Sequence, residues 1–314
     1  MKIVILDGLA LFQQDISRTS FSNLGEVDFY EKTTEAEITS RDAHATVLVT
    51  NKCLVNEKAL AHFTQLKLVL VAATGYNSVD IQACKDRGIQ VSNVPAYGTY
   101  SVAQHTLALF LAWSNRVEQH NQSVQAGEWS KNDWSYSLSP LTELADKKLG
   151  IIGMGNIGQC FAGMAESLGM KIYYHHTRDL QLANRTFLSK KELAQTCDVI
   201  SLHCPLNPQT DQLINAEFLS WMPKHAVLIN SSRGGLVDSK ALAQALQEKQ
   251  IAAALLDVLD QEPPASHHPL IGIPNTYITP HNAWLSLEAR TRIIQSLTTT
   301  LVGFLAGKAI NQVN

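Results

Sequence analysis

The chain has 314 residues, of which 45% are hydrophobic and 17% are charged, and its formal net charge is -3. At roughly 150 residues per domain this length predicts two domains, and the apolar content excludes a disordered chain, which would be polar and highly charged. The small acidic net charge argues against a nucleic-acid binder that works by electrostatics, because Lys and Arg are not in excess to neutralise phosphates.

The predicted elements, taken in chain order, form two series of short apolar strands that alternate with helix-like segments. The first series comprises residues 2–6, 46–49, 68–72 and 90–92, and the second comprises residues 148–152, 171–175, 199–203, 226–229, 252–256 and 276–279. Helical patterns occupy residues 101–116, 162–168, 239–247 and 286–305. Near-continuous apolar strands separated by helices are typical of parallel sheets covered on both faces, so we expect an α/β protein with two parallel-sheet units.

The polar segment 126–144 lacks periodicity, and we interpret it as the connection between the two units. No run of the sequence reaches the ~18 apolar residues that a membrane span needs, and the N-terminus does not resemble a signal peptide. The cysteines include no Cys-x-x-Cys pair, so we expect neither a disulfide framework nor a metal site. These features predict a cytoplasmic, soluble protein.

The strongest local motif is a glycine-rich turn after the first strand of the second series. Gly153, Gly155 and Gly158 have the Gly-x-Gly-x-x-Gly spacing, and a helical pattern follows. Asn156 and Ile157, which lie inside the motif, are further candidates for cofactor binding. In such a motif the first glycine permits the tight turn, the second lets the backbone approach a pyrophosphate, and the third allows close helix–strand packing. The exposed N–H groups at the helix start then favour an anion. The turn therefore predicts a dinucleotide site.

The choice of dinucleotide depends on the end of the next strand, where an acidic residue normally binds the ribose 2′-hydroxyl. This sequence has His175 and His176 at that place, and Arg178 follows two residues later. A missing acid with a nearby Arg tolerates or prefers a 2′-phosphate. The hypothesis is that NADPH is accepted or preferred; in the alternative, Arg178 is a solvated loop residue and discrimination between NADH and NADPH is poor.

Polar residues follow three further strands of the second series. Arg233 comes after strand 226–229, Asp257 and Glu262 come after strand 252–256, and His281 comes after strand 276–279. In an open parallel sheet, ligands bind outside the carboxyl ends of the strands. These side chains can therefore converge at one site although they are scattered along the chain.

The ordered set of Gly-rich turn, Arg, Glu-Pro and Pro-His resembles the D-2-hydroxyacid dehydrogenase family, and within it the glycerate dehydrogenase (hydroxypyruvate reductase) branch. The resemblance extends over essentially the whole chain, from the segment 75–80 to Trp284. It implies a central Rossmann NAD(P)-binding domain of residues 101–284 and a discontinuous, flavodoxin-like substrate domain of residues 1–100 and 285–314. It also implies an active site in an interdomain cleft, and a homodimer.

The resemblance implies a role for each candidate residue. Arg233 would clamp the substrate carboxylate through its rigid donor fork. His281 would act as the general acid in reduction, and Glu262 would orient it and favour the imidazolium, because an opposite charge stabilises the protonated form. Asp257 would face the nicotinamide amide. The remaining contacts along the cofactor would come from Cys204, Pro205, Ser231 and Ser232.

Substrate contacts are implied for the first unit. Backbone N–H groups of Gly75 and Tyr76, with Asn77 as a further candidate, would receive the carboxylate, and Trp284 would belong to the pocket. No cluster of basic residues accompanies this loop, and we expect no extra C-terminal regulatory domain. We therefore expect a small unphosphorylated 2-keto acid such as hydroxypyruvate or glyoxylate. The alternatives are a corepressor-like, dinucleotide-sensing regulator, or a dehydrogenase of another 2-hydroxy acid such as 3-phosphoglycerate or an aromatic acid.

Overall fold

The computed structural model describes residues 1–13 and 15–314. In chain order its strands are β1 (Lys2–Ile5), β2 (Glu26–Phe29), β3 (Val47–Thr50), β4 (Leu68–Val71), β5 (Gln90–Ser92), β6 (Lys148–Ile152), β7 (Lys171–His175), β8 (Arg185–Phe187), β9 (Val199–Leu202), β10 (Val227–Asn230), β11 (Ala253–Leu256) and β12 (Thr276–Ile278). Its helices are α1 (Leu9–Phe12), α2 (Thr19–Ser22), α3 (Glu57–His62), α4 (Ile81–Asp86), α5 (Thr99–Asn115), α6 (Val117–Gln125), α7 (Asn156–Ser167), α8 (Lys190–Thr196), α9 (Ala216–Trp221), α10 (Ser239–Gln247) and α11 (Leu287–Leu305).

The strands form two sheets in which neighbouring strands run parallel. One sheet has the order β2-β1-β3-β4-β5 and the other has the order β12-β11-β10-β9-β6-β7-β8. The predicted α/β class with two parallel sheets is therefore confirmed. The sequence did not predict β2 and β8. Both are short strands at a sheet edge with side chains that stay partly exposed, so neither carries an apolar run.

The chain divides into two compact units, one of Met1–Gly98 with Trp284–Asn314 and one of Thr99–Ala283. The segment 126–144, interpreted from its polarity as the connection between units, lies inside the second unit, and that interpretation was wrong. The segment folds back on its own unit: the N–H of Thr142 donates to the carbonyl of Ser114 at 3.0 Å, and the hydroxyls of Tyr136 and Ser123 are 2.5 Å apart. Polarity and missing periodicity describe an irregular segment, which need not be a linker.

In the first unit the two ends of the chain are held together by specific contacts. Arg290, on α11, is only 2% exposed and donates from both Nη atoms to the carboxylate of Asp15 at 2.6 Å. The C-terminal segment pairs with β5, since the N–H of Val313 donates to the carbonyl of Val91 at 2.9 Å. These contacts explain why the last residues belong to the same unit as the first.

In the second unit the parallel sheet decides where the loops lie. Strands β9 and β10 are buried along their whole length, as their continuous apolar sequences predict. Because all seven strands point the same way, the loops after β6, β9, β10, β11 and β12 leave from the same edge of the sheet. We call this edge of the second unit the carboxyl edge. Among the described residues, no helix has both the length and the apolar character that a membrane crossing requires.

Candidate active site

The glycine turn after β6 is packed so tightly that two of its positions admit no side chain. Gly153 has φ +99°, and a Cβ there would lie 2.5 Å from the backbone of His203 and Cys204. A Cβ on Gly158 would lie 2.3 Å from the carbonyl oxygen of Gly153. Contacts this short with backbone atoms cannot be relieved by a rotamer change, so the close helix–strand approach depends on both glycines.

Gly155 differs from its two neighbours, because a Cβ there would meet nothing within 4 Å. It is the N-cap of α7, and no side chain caps this helix. The backbone N–H groups of the first turn, which includes Asn156 and Ile157, have no partner inside the helix, and the helix begins at the carboxyl edge. The positive end of the helix dipole adds to their attraction for a negative group. The turn fits the diphosphate of a dinucleotide.

Contacts at the end of β7 show which side chains there are already engaged by other protein groups and which could recognise the ribose of a dinucleotide. The ring of His175 stacks on Phe187, and its Nδ1 is 2.9 Å from the carbonyl of Leu188. The hydroxyl of Tyr174 donates to Asp179, and this hydrogen bond holds the pKa of that carboxyl below its usual value. His175 and Asp179 thus have partners within the protein, whereas Arg178 is exposed in the turn between them.

The loop after β9 contributes neutral groups. Burial lowers the pKa of His203 to about 4, and its Nε2 is 2.9 Å from the hydroxyl of Ser201. Burial raises the pKa of the Cys204 thiol to about 11. The carbonyl of Pro205 accepts a hydrogen bond from Thr210 at 2.7 Å. At neutral pH this part of the carboxyl edge is therefore uncharged, and Cys204 is not a nucleophile there.

A buried asparagine that the sequence did not single out shapes the loop that carries Arg233. The side chain of Asn230 accepts from the N–H of Ser232 at 3.0 Å and donates to the carbonyl of Arg233 at 2.9 Å. The hydroxyl of Ser232 donates to the carbonyl of Leu202 at 2.7 Å, and that of Ser231 is 2.7 Å from the hydroxyl of Thr106. These contacts fix the backbone from which the exposed Arg233 side chain extends.

His281 and Glu262 form a close pair at the carboxyl edge. Nδ1 of His281 is 2.5 Å from Oε2 of Glu262, and Oε1 of Glu262 accepts from the N–H of Leu259 at 3.1 Å. Both side chains of the pair are partly buried. The carboxylate therefore orients the imidazole ring, because Oε2 of Glu262 lies within hydrogen-bond distance of Nδ1.

Asp257 has a structural part in this site that the sequence did not indicate. Its carboxylate is 1% exposed and accepts from the N–H groups of Asn282 and Ala283 at 3.0 Å and from the hydroxyl of Thr279 at 2.7 Å. Its carbonyl accepts from the N–H of His281 at 2.8 Å. These bonds hold His281 in a left-handed conformation with φ +51°, which is unfavourable for a residue with a Cβ. Asp257 thus positions His281; its predicted cofactor contact stays a prediction.

The Arg233 turn and the segment before Glu262 are in direct backbone contact. A Cβ on Gly234 would lie 1.9 Å from the carbonyl carbon of Leu259. The structure thus brings Arg233, Glu262 and His281 to the same edge of one sheet, where a cation, a carboxylate and an imidazole are available together.

Among residues 1–13 and 15–314, no group of three or more His, Cys, Asp or Glu is placed to hold a metal ion.

The predicted substrate loop follows β4 in the first unit. The hydroxyl of Thr74 donates to the carbonyl of Val94 at 2.9 Å, and the side chain of Asn93 donates to the carbonyl of Thr74 at 2.7 Å. These bonds fix the start of the loop that contains Gly75, Tyr76 and Asn77, and Tyr76 is exposed. Trp284 is only 7% exposed and packs edge-on against Tyr97. Substrate contacts by these residues stay predictions.

Comparisons with known proteins agree on one family. Residues 107–283 match the model of the D-isomer specific 2-hydroxyacid dehydrogenase, NAD binding domain. The chain is 39% identical to a hydroxypyruvate reductase of Blautia hydrogenotrophica, with 100% of each chain covered. It is 38% identical to a glycerate dehydrogenase of Methylorubrum extorquens, with 99% of this chain and 98% of the relative covered. An acyclic imino acid reductase solved with NADPH and D-Arg is 29% identical, with a TM-score of 0.86 and 100% of both chains covered.

Proposed function

The chain belongs to the D-isomer specific 2-hydroxyacid dehydrogenase family, and from this premise we propose that it reduces hydroxypyruvate or glyoxylate to D-glycerate or glycolate. It is an oxidoreductase that acts on CH–OH groups and takes a nicotinamide cofactor. The observation that carries the proposed chemistry is the 2.5 Å contact between His281 and Glu262 at the edge where Arg233 also lies. For reduction of a 2-keto acid, the protein must supply a proton donor and a cationic group that binds the substrate carboxylate.

The proposed mechanism assigns one task to each of these residues. When bound, the nicotinamide supplies the hydride that reduces the 2-keto carbon. Arg233 holds the substrate carboxylate with two parallel N–H donors, a geometry that a lysine cannot provide. With Nδ1 facing Glu262, His281 gives a proton from Nε2 to the carbonyl oxygen, and in the reverse direction it accepts the proton there. Glu262 orients the imidazole ring for this transfer through its contact with Nδ1.

The product distinguishes this proposal from its alternatives. Names of the relatives support hydroxypyruvate as the substrate. A corepressor-like regulator would bind the dinucleotide without turnover, and a 3-phosphoglycerate dehydrogenase would oxidise a phosphorylated acid. We expect chiral chromatography of the reaction with hydroxypyruvate to show D-glycerate alone. L-Glycerate from hydroxypyruvate, or no product from either hydroxypyruvate or glyoxylate, would contradict the proposal.

The Arg233 clamp predicts a specific kinetic change. Arg233→Lys should raise KM for the keto acid by about tenfold to a hundredfold and lower kcat, because a charge-assisted bidentate contact becomes a single one. The dissociation constant of the cofactor should not change. Arg185→Lys is a matched control, since Arg185 makes a bidentate contact with Glu166 (2.8 and 2.9 Å) away from the carboxyl edge. An unchanged KM in Arg233→Lys would argue against the clamp.

We further propose that NADPH is accepted or preferred over NADH, and that Arg178 is the main cause. His175 and Asp179 are held by other protein groups, so the exposed guanidinium is the group best placed to meet a 2′-phosphate. Arg178→Ala should lower kcat/KM for NADPH by about tenfold, because a charge-assisted hydrogen bond is lost. The value of kcat/KM for NADH should stay unchanged, so NADH serves as the internal control. An equal loss for both cofactors, or a wild-type preference for NADH of about a hundredfold, would contradict this.

A homodimer is also part of the proposal. Exposed apolar side chains cluster in the sequence after α6, where Trp134 is 86% exposed and Trp129, Leu138 and Leu141 are also exposed. Large apolar side chains left in water are typical of an interface. Light scattering of the purified protein measures the state directly, and a monomer at micromolar concentration would contradict it. The cytoplasmic location stays a prediction.

A further inference from the structure

We propose that His268, Asp260 and Ser239 form an anchor that positions Glu262 for proton transfer by His281. We call these three residues the Asp260 anchor. The inference rests on the proposed function of the Glu262–His281 pair and extends it to residues that do not touch that pair. The anchor lies between α10 and the segment after β11 in the second unit.

The hydrogen bonds of His268 define its tautomer. Its side chain is 2% exposed, and its Nδ1 accepts from the N–H of Leu270 at 3.3 Å. A neutral imidazole that accepts at Nδ1 carries its hydrogen on Nε2. That nitrogen is 2.9 Å from Oδ1 of Asp260, so His268 donates to the carboxylate without needing a positive charge.

Asp260 is held from a second side. The hydroxyl of Ser239, a buried residue at the start of α10, donates to the same carboxylate oxygen. Burial raises the pKa of Asp260, but the hydrogen bonds from Ser239 and His268 outweigh this and bring it below its usual value. Asp260 is therefore an ionised acceptor that ties its own segment to α10 and to the segment of His268.

The anchor acts on Glu262 through a very short stretch of backbone. Asp260 precedes Glu262 by two residues, and the N–H of Leu259 donates to Oε1 of Glu262. The close approach of Gly234 to Leu259 and to the N atom of Asp260 also leaves no room for movement toward the Arg233 turn. With the backbone held by these contacts and Oε1 occupied, Oε2 of Glu262 is directed at Nδ1 of His281.

The same unit contains a comparable pair that serves as a matched control. Nε2 of His225 is 2.8 Å from Oδ1 of Asp198, and Asp198 also accepts from the N–H of Lys148 at 2.7 Å. This pair lies where β6 and β9 begin, at the edge opposite to the carboxyl edge. It has the chemistry of the His268–Asp260 contact but no connection to Glu262.

The test compares variants of the full-length protein with its cofactor and keto acid. His268→Leu should lower kcat by about tenfold, because a small displacement of Glu262 disturbs the proton donor. KM for the keto acid and the dissociation constant of the cofactor should stay within about twofold of wild type. The solvent deuterium isotope effect on kcat should rise as proton transfer becomes slower. His268→Gln, which can place an amide donor near the position of Nε2, should restore most of kcat.

Asp260→Ala gives a second measurement if His268→Leu does not fold, since the Asp260 side chain is half exposed. It should reproduce the lower kcat and the larger isotope effect, whereas His225→Leu should leave both unchanged. The proposal is overturned if kcat of the folded variants stays at the wild-type level, or if His268→Gln is no better than His268→Leu. A wild-type kcat in His281→Ala would instead refute the proposed function itself, so the two failures are distinguishable.

Discussion

His281→Ala is expected to lower kcat for keto-acid reduction by about 10²–10⁴-fold, the usual effect of removing a general acid. In the proposed mechanism the imidazole is the proton donor, and its Nδ1 is 2.5 Å from Oε2 of Glu262. The glycine turn that would bind the cofactor diphosphate does not involve this side chain, so the dissociation constant of the cofactor should change little. Single-turnover absorbance of the nicotinamide, recorded beside equilibrium binding, separates the two quantities.

The control for this experiment is His225→Ala, which removes an imidazole paired with a carboxylate at the far edge of the same sheet. It should retain wild-type kcat. If His281→Ala also retained kcat, the assignment of the general acid would be wrong. Glu262→Gln should give an intermediate result, because the amide can still contact Nδ1 but forms a weaker hydrogen bond than the charged carboxylate does.

The second large effect is expected for two glycines of the turn after β6, Gly153 and Gly155, whose substitution should have different consequences. Gly153→Ala should destabilise the cofactor-free protein, because a left-handed backbone with a Cβ stores about 1–3 kcal/mol of strain and the methyl group would lie 2.5 Å from backbone atoms. Gly155→Ala should leave the melting temperature unchanged, because its Cβ meets nothing within 4 Å. It should nevertheless weaken cofactor binding by about tenfold or more, because the methyl group takes the space that the diphosphate needs.

Thermal unfolding of the cofactor-free variants and fluorescence titration with NADPH measure the two effects independently. Gly155→Ala serves as the control for Gly153→Ala, since both changes add one methyl group to the same turn. Equal melting temperatures for the two variants would contradict the packing argument. Unchanged NADPH binding by Gly155→Ala would contradict the placement of the diphosphate at the start of α7.

The strands that are buried on both faces of a sheet could be predicted from the sequence. Strands such as β3 and β4 are buried on both faces, so they appear as continuous apolar runs with clear ends. Edge strands β2 and β8 face solvent and carry no such pattern, which explains why they were not predicted. The segment 126–144 was misinterpreted because its bonds to α5 and α6 depend on positions brought together only by folding.

The candidate site was predictable at the level of residue type and order. The sequence alone shows the spacing of the glycines, the Arg that follows a strand, and the Glu-Pro and Pro-His segments. The supporting contacts could not be seen, because they join residues far apart in the chain. Asp260 binds Ser239 across 21 positions, and Asp257 binds Ala283 across 26. Asn230 and Asp257 did give a local signal, because each is a polar residue at the end of a buried strand.

The measurement that tests the central claim most directly is a matrix of both cofactors against a panel of 2-keto acids, followed by the loss of nicotinamide absorbance. The account predicts oxidation of NADPH by hydroxypyruvate or glyoxylate, without a preference for NADH of about a hundredfold. It also predicts slower oxidation by aromatic 2-keto acids and by the phosphorylated analogue of hydroxypyruvate. Binding of the cofactor without oxidation by any keto acid would contradict the account and leave the dinucleotide-sensing regulator as the better description.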